Sequence, residues 1–229
     1  MKETLRTVIY AVLIALAIRV TAFEPFSIPS GSMVPTLLVG DYLFVSKYAY
    51  GYSRYSLPFG LPLLPEDRVF FTEPERGDVA VFKLPRDNST DFIKRVIGLP
   101  GDTVQMVDGT LVLNGEEVPK ERIEDFIVEI GADERCYSGR FSMQTEDGTP
   151  ACRYPQFQET LPNGVTYNVL DLGVVAVDNT APVVVPEGHV FMMGDNRDNS
   201  QDSRRASVSG GWVGLVPTQN LVARASFMY

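Results

Sequence analysis

Two serines that flank a glycine, Ser30 and Ser32, follow the apolar N-terminal segment of this 229-residue chain. A serine hydroxyl becomes a good nucleophile when a neighbouring base takes its proton. The sequence has a single histidine, His189, in an apolar stretch, so a triad of the serine–histidine type would have to use that residue alone. We therefore expect a lysine to serve as the base if Ser32 is a nucleophile. The alternative is a polar turn that follows the apolar segment.

The lysine best suited to this task is Lys94, within the run 91–102. Strand alternation places it on the same face as the apolar side chains of Phe92 and Val96. Burial disfavours the ammonium form and can lower a lysine pKa to roughly 7–8, where the neutral amine accepts a serine proton. The alternative is a lysine on an edge strand with its ammonium group in water.

A third segment, 194–204, is dense in short polar side chains and follows an apolar stretch directly. Asp and Asn side chains stabilise turns by hydrogen bonding to nearby backbone amides, so a structural turn is one interpretation. A calcium loop is another. The EF-hand pattern fails, because Arg197 stands where an oxygen ligand is needed and no glycine occupies the sixth position. A looser oxygen-ligand site remains an alternative.

Composition excludes some classes of function. The net charge of −9 and the lack of a basic stripe argue against a nucleic-acid partner. Hydrophobic residues make up 45% and charged residues 21%, which is typical of a globular chain long enough for one or two domains. The sequence also lacks the Gly-x-Ser-x-Gly, Ser-x-x-Lys, His-Glu-x-x-His and phosphate-loop motifs.

The N-terminus has the features of a targeting or membrane segment. Lys2 and Arg6 precede the apolar run 8–18, and Arg19 follows it. This run is short for a membrane span and typical of a signal-peptide core, with Val20-x-Ala22 as a cleavage site. Extended to 7–23, with Arg19 reaching the interface, it could instead span the bilayer. In either interpretation, the rest of the chain is exported.

The two cysteines, Cys136 and Cys152, are compatible with an exported protein. They lie in a stretch rich in Gly and Pro and lack metal-ligand spacing. A disulfide between them would contribute about 3 kcal/mol by restricting the unfolded chain. Two unpaired thiols are the alternative.

Beyond residue 23 the pattern predicts short strands and no long amphipathic helix. The predicted strands are 41–46, 78–83, 91–97, 104–107, 110–113, 174–177, 183–185, 189–193, 212–216 and 220–227. Asp108-Gly109 and Asn114-Gly115 predict type I′ hairpin turns, whereas 51–65 is expected to be an irregular apolar loop. The expected fold is mostly β, an antiparallel sheet or barrel-like domain with an inserted, irregular β subdomain at 120–182.

Five segments, 29–37, 40–51, 76–79, 91–102 and 194–204, resemble bacterial type I signal peptidases in sequence and in order. The resemblance implies a serine endopeptidase that removes signal peptides from exported preproteins after Ala-x-Ala-type sites, without metal or cofactor. It favours an uncleaved, single-pass anchor at 7–23, a cytoplasmic N-terminus at 1–6 and a catalytic domain at 24–229. That domain would lie on the extracytoplasmic side of the inner membrane, with Phe23, Phe26 and the loop 57–64 as candidate lipid contacts. Core packing is the alternative for the two phenylalanines.

The resemblance also implies roles for individual residues. Ser32 would be the nucleophile and Lys94 the general base, with the Ser30 hydroxyl and the Ser32 backbone N–H as the oxyanion hole. The residues implied in orienting the base and bracing its surroundings are Ser200, Asp202, Arg204, Asp195 and Arg95, the last two as an ion pair. The substrate would bind as an extended strand beside 91–93. The implied substrate-binding residues are Phe26, Ile28, Pro29, Met33, Leu37, Asp91, Phe92 and Ile93.

Three other functions are weighed against this one. A self-cleaving Ser/Lys repressor-type protease needs a recognition domain upstream of the serine, and only 31 residues precede Ser32. A tethered β-domain that binds exported proteins without cutting them would tolerate replacement of Ser32 and Lys94. An organellar processing peptidase would share the chemistry and differ in location. The sequence specifies neither the oligomeric state nor the role of 120–182.

Overall fold

A computed structural model of the chain describes residues 2–56, 68–131, 134–205 and 213–228. Within these ranges the chain forms one α-helix, α1 (Lys2–Thr21), followed by short strands and 3-10 turns. The strands are β1 Phe23–Ser27, β2 Tyr42–Ser46, β3 Val79–Lys83, β4 Asp91–Gly98, β5 Thr103–Val107, β6 Thr110–Leu113, β7 Glu116–Glu117, β8 Lys120–Arg122, β9 Phe126–Glu129, β10 Ser142–Gln144, β11 Pro150–Tyr154, β12 Gln156–Thr160, β13 Thr166–Leu170, β14 Val183–Val184, β15 His189–Met193, β16 Val216–Pro217 and β17 Leu221–Met228. The 3-10 helices are Gly31–Met33, Lys47–Tyr50, Arg54–Ser56, Gly139–Phe141 and Thr218–Asn220.

The largest sheet has the strand order β1-β2-β17-β3-β4-β15-β16, and all of its neighbouring strands are antiparallel. A second sheet, β14-β5-β6-β7, contains the two predicted hairpins. Asp108, Gly109, Asn114 and Gly115 all have positive φ, as type I′ turns require. The expectation of a mostly β, antiparallel fold is therefore confirmed.

Strand β4 connects three parts of the hydrophobic core. Its Ile97 packs with β5, β6 and β15, its Val96 packs with Tyr50 and β3, and its Ile93 packs with the segment that carries Ser32. Each fully buried side chain of this size contributes roughly 1.5–3 kcal/mol. The strand that carries Lys94 is thus held on both of its faces by apolar packing.

The segment 120–182 is more regular than expected. It contains two three-stranded sheets, β10-β11-β9 and β13-β12-β8, so the description of this subdomain as irregular is wrong. Its strands are at most five residues long and mix charged with apolar side chains, which weakens their alternation in the sequence. Cys136 and Cys152, the latter in β11, form the expected disulfide within this segment.

One predicted strand, 174–177, is a turn instead. The Asp178 carboxylate accepts a hydrogen bond from the Val175 N–H, and the Asp178 N–H donates to the Val175 carbonyl. This Asx-type turn overrides the β propensity of the valines, and Val174 is 96% exposed. Of the strand predicted at 212–216, only Val216 is in a strand, and the first residue lies outside the described ranges, as does the loop 57–64.

Helix α1 exposes large apolar side chains along its length, among them Val8, Leu13 and Ile14. Among the residues that the structure describes, no helix combines the length and the apolar character of a candidate membrane span. The anchor expected at 7–23 stays a prediction.

Candidate active site

Ser32 lies in the 3-10 helix Gly31–Met33, directly after strand β1. The Ile28 N–H donates to the Asp41 carbonyl and the Gly40 N–H donates to the Ile28 carbonyl, which closes the loop between β1 and β2. Ile28 and Met33 are completely covered by the core beneath this loop. Ser32 is therefore held by packing on one side, and its hydroxyl faces a cleft on the other.

The Lys94 amine reaches Ser32 from strand β4. Its Nζ donates to the Ser32 Oγ at 2.6 Å and to the Ile93 carbonyl oxygen at 2.7 Å. Lys94 is only 3% exposed, and β4 lies between β3 and β15. The alternative of a solvated lysine on an edge strand is thus wrong.

Burial determines the protonation of this amine. Desolvation lowers the pKa of Lys94 from 10.5 to about 8, although the negative charges of Asp202 and Asp195 act in the opposite direction. The Phe92 ring centroid lies 5.3 Å from Nζ and covers part of the amine. With this pKa of about 8, roughly a tenth of Lys94 is neutral at pH 7 and about half at pH 8, and in that form it can accept the Ser32 proton.

The expected ion pair between Arg95 and Asp195 is present and bidentate. Arg95 Nε lies 2.9 Å from Asp195 Oδ1, and Nη2 lies 2.6 Å from Oδ2. The Thr36 hydroxyl donates to the same carboxylate at 2.5 Å, so the pair also holds the segment after Ser32. This arrangement connects β4 with the loop 28–41 and with residues 194–204. After the roles proposed below, we call these two segments the nucleophile loop and the catalytic turn.

Asp202 and Arg204 brace the catalytic turn from within. Arg204 Nε donates to Asp202 Oδ1 at 2.9 Å, and both side chains are fully buried. The Gly194 N–H donates to Asp202 Oδ2. A Cβ atom at Gly194 would lie 2.5 Å from the Ser32 carbonyl oxygen and 2.2 Å from the Ser200 Oγ. Only glycine permits the turn to approach Ser32 so closely.

The expected contact between Ser200 and Lys94 is absent. The Ser200 Oγ is buried and has no hydrogen-bond partner within the part of the chain that the structure describes. Lys94 donates instead to its neighbour's carbonyl and to Ser32, and the Ser200 hydroxyl packs against Gly194. Ser200 therefore makes no hydrogen bond to Lys94 among the described residues, although both line the same cleft, and its role in orienting the amine stays a prediction.

Ser32 and Lys94 open into a cleft of about 520 Å³. Its lining comprises Phe26, Pro29, Ser30, Ser32, Asp91, Phe92, Ile93, Lys94, Asp198, Asn199, Ser200 and Gln201. Five of the eight expected substrate-binding residues are among them. The Ser30 Oγ stands at the rim, 3.5 Å from the Ser32 Oγ.

Three expected wall residues, Ile28, Met33 and Leu37, do not line this cleft. They belong to the core beneath the nucleophile loop and are at most 3% exposed. Their apolar character reflects support of the loop from below rather than contact with substrate. Conversely, Asp198, Asn199 and Gln201 line the cleft but had no expected role at the site. The density of short polar side chains in the catalytic turn was the available signal.

The geometry supports neither a serine–histidine triad that uses His189 nor an oxygen-ligand metal site at 194–204. The cleft lining does not include His189, whose Nδ1 contacts the Glu187 carbonyl. Across the described ranges, no group of three or more His, Cys, Asp and Glu side chains is arranged to hold a metal ion. Two carboxylates of the catalytic turn, Asp195 and Asp202, are instead paired with arginines.

Comparison with known proteins gives consistent matches. The family described as signal peptidase, peptidase S26, matches residues 1–229. The signal peptidase I of Rickettsia typhi is 40% identical over 237 residues, which cover 100% of this chain and 80% of that protein. That of Rickettsia canadensis is 42% identical over 229 residues, covering 96% and 76%. A crystal structure of an Enterococcus faecalis signal peptidase I is 22% identical and covers 68% of this chain and 98% of its own, with a TM-score of 0.35.

Proposed function

The chain belongs to the signal peptidase family, peptidase S26, and we propose that it cleaves signal peptides by attack of Ser32 with Lys94 as general base. The observation that carries this proposal is the 2.6 Å contact between Lys94 Nζ and Ser32 Oγ inside an open cleft. Membership of this family makes the protein a serine peptidase. The dyad accounts for how it would activate its serine without histidine.

In the proposed mechanism, neutral Lys94 removes the Ser32 proton while Oγ attacks the carbonyl carbon of the scissile bond. The negative charge that develops on the carbonyl oxygen is stabilised by the Ser30 hydroxyl and the Ser32 backbone N–H. Protonated Lys94 then delivers its proton to the departing amine, leaving an acyl ester on Ser32. Lys94 next activates a water molecule, which hydrolyses the ester and restores the serine.

The edge of β4 suits an extended substrate. Strand β15 pairs with β4 only through Gly98, Val96 and Arg95, so within the described residues 91–93 have a strand partner on the β3 side alone. A peptide can add to this free edge by backbone hydrogen bonding. Phe26, Phe92 and Ile93 narrow the cleft beside Ser32. These walls favour small side chains next to the scissile bond, as in Ala-x-Ala sites.

We also propose that helix α1 anchors the enzyme in the bacterial inner membrane, with the catalytic domain on the extracytoplasmic side. The exposed apolar side chains of Val8, Leu13 and Ile14 support contact with lipid. Helix α1 ends at Thr21, and the Tyr52 hydroxyl donates to the Thr21 carbonyl. The first residue that lines the cleft, Phe26, follows the end of helix α1 by only a few residues. The cleft therefore lies close to the proposed anchor, where the cleavage site of a membrane-inserted preprotein would emerge.

The direct test is cleavage of a preprotein with an Ala-x-Ala site by wild type and by Ser32→Ala in detergent or lipid. We expect the variant to lose at least about 1,000-fold in turnover, because Ser32 carries the hydroxyl to which the Lys94 amine is hydrogen bonded. Ser138→Ala is the matched control, since Ser138 is exposed and makes no capping hydrogen bond. Cleavage by folded Ser32→Ala at the wild-type rate would overturn the proposed function.

The rate of cleavage should depend on the protonation of Lys94. Because the pKa of Lys94 is lowered to about 8, the rate at limiting substrate should rise about tenfold per pH unit below that value and level off above it. Stopped assays from pH 6 to 10, with circular dichroism at each pH, would separate this titration from unfolding. A rate independent of pH between 6 and 9 would exclude Lys94 as the titrating base.

A further inference from the structure

The inserted segment 120–182 touches the back of the catalytic turn through its last strand. At the end of β13, the Leu170 N–H donates to the Asp195 carbonyl at 2.9 Å, and its carbonyl accepts from the Arg197 N–H at 2.9 Å. These bonds form a parallel bridge between Leu170 and Asn196. The inserted segment and the catalytic turn are thus joined by main-chain pairing as well as by side-chain packing.

The same turn residue also holds the nucleophile loop. The Asn196 N–H donates to the Ser32 carbonyl at 3.1 Å, and its side-chain amide donates to the Gly31 carbonyl at 3.1 Å. Asn196 therefore lies between Leu170 of the inserted segment and Ser32. A displacement of β13 would be transmitted through one residue to the backbone of the nucleophile.

A layer of buried charged side chains lies beside this series of contacts from Leu170 through Asn196 to Ser32. Glu159 on β12 is completely buried and accepts both Arg197 Nη1 at 2.8 Å and Nη2 at 2.5 Å. The Tyr167 hydroxyl on β13 donates to the Glu159 carboxylate at 2.6 Å. The guanidinium carbon of Arg95 lies 4.3 Å from the centroid of the Tyr167 ring. Arg95 in turn pairs with Asp195 and directly follows Lys94 in β4.

Buried ions are stable only when each is paired and hydrogen bonded. The contacts of this layer therefore fix the positions of the side chains that take part in them. Glu159 supplies the counter-charge of Arg197, and Tyr167 supplies a donor to Glu159 and an aromatic face to Arg95. Tyr167 also packs with the apolar core that includes Ile97 of β4. Arg95, Arg197, Glu159 and Tyr167 are each at most 6% exposed, so the layer excludes water from this face of β4.

We propose that strands β12 and β13 of the inserted segment belong to the active-site scaffold, with Glu159 and Tyr167 as positioning residues for Ser32 and Lys94. They act through Arg197, Arg95 and Asp195 rather than by contact with substrate. This inference rests on the proposed function, since the positions that they fix matter only if Ser32 and Lys94 perform the cleavage.

A variant that opens the layer without altering charge gives the sharpest test. The charges that act on Lys94 are those of Asp202 and Asp195 in the catalytic turn. These carboxylates pair with Arg204 and Arg95, and behind them lie Arg197, Glu159 and Tyr167. Tyr167→Leu changes none of the charges present at neutral pH but removes the ring over Arg95 and the donor to Glu159. The ring lies on the face of β4 that carries Arg95 and Ile97, opposite Lys94, so its loss loosens Arg95 from Asp195. The less compensated Asp195 carboxylate, whose charge already raises the pKa of Lys94, then acts on the amine more strongly.

We expect Tyr167→Leu to move the midpoint of the pH–rate profile upward by about one pH unit and to lower kcat about tenfold, with KM for the preprotein nearly unchanged. Tyr167→Phe keeps the ring and should retain most of the wild-type midpoint and kcat. Tyr137→Leu is the matched control, because Tyr137 lies in the inserted segment but is exposed. It should behave as wild type in both measurements.

A merely structural role would lower the melting temperature and leave the kinetics of the folded fraction unchanged. A folded Tyr167→Leu enzyme with the wild-type midpoint and kcat would overturn the proposal. If Tyr167→Leu does not fold, Glu159→Gln decides, since unchanged turnover per folded enzyme at the high-pH plateau would overturn it equally. Wild type and Ser32→Ala are assayed alongside, so that failure of the proposed function shows separately as activity that persists without Ser32.

Discussion

Replacing Lys94 by methionine is expected to abolish cleavage and, at the same time, to raise the free energy of unfolding. The loss of activity follows from the 2.6 Å contact with the Ser32 Oγ, which methionine cannot replace as a base. General-base contributions of this kind amount to about 10²–10⁴-fold in rate. The gain in stability follows from removal of an ionisable group from a site where Lys94 is only 3% exposed.

The size of the stability gain depends on pH. In the unfolded chain Lys94 titrates near 10.5, whereas in the folded protein its pKa is about 8, a difference that corresponds to about 3 kcal/mol. Below pH 8 both states are protonated, so the folded state carries the whole penalty of a buried charge. Between the two values the unfolded state binds more protons, and the stability of wild type rises with pH. The advantage of the variant should therefore shrink between pH 8 and 10.5.

Methionine also leaves the Ile93 carbonyl without the donor that Lys94 supplies, which costs about 1 kcal/mol. We expect a net gain of about 1–3 kcal/mol at pH 7, measured by urea unfolding at several pH values. Lys83→Met is a matched control for stability, because Lys83 pairs with Asp91 and keeps part of its side chain in water. Equal stability of wild type and Lys94→Met across this pH range would show that burying the ammonium group does not destabilise the folded protein.

Features governed by local chemistry could be predicted from the sequence. The Asx-Gly pairs predict the hairpin turns because positive φ at both positions is a local requirement. The alternation around Lys94 predicts a buried amine because its neighbours on one face are apolar. In both cases the deciding interactions lie within a few residues of one another.

Features governed by contacts distant in sequence could not be predicted. Ile28 and Met33 have the composition of a pocket wall, and only the fold shows that they face the core. Likewise, nothing near Glu159 or Tyr167 in the sequence indicates that Arg197 and Arg95 lie against them. Burial of a charged pair is visible only once both partners are placed, because each residue alone resembles an ordinary surface side chain.

Asp202→Asn is expected to destabilise the enzyme strongly while making its base easier to deprotonate. Burial alone would raise the pKa of Asp202, but Arg204 and the Gly194 N–H hold it below its usual range, so the carboxylate stays ionised. Asparagine preserves the shape and can still accept the Gly194 N–H. It leaves Arg204 as an uncompensated charge with no exposed surface, at a cost of about 3–5 kcal/mol.

The effect on the base has the opposite sign. The charge of Asp202 is the largest influence that keeps the pKa of Lys94 from falling further, so its removal should move the midpoint of the pH–rate profile below 8. Turnover per folded enzyme at pH 7 should then be a larger share of its plateau than in wild type, even though the melting temperature falls. Glu146→Gln, a control at an exposed position in a turn, should change neither the midpoint nor the melting temperature. A midpoint that stays at the wild-type value in Asp202→Asn would mean that the charge of this carboxylate does not affect the pKa of Lys94. The catalytic turn would then position Lys94 without changing its protonation.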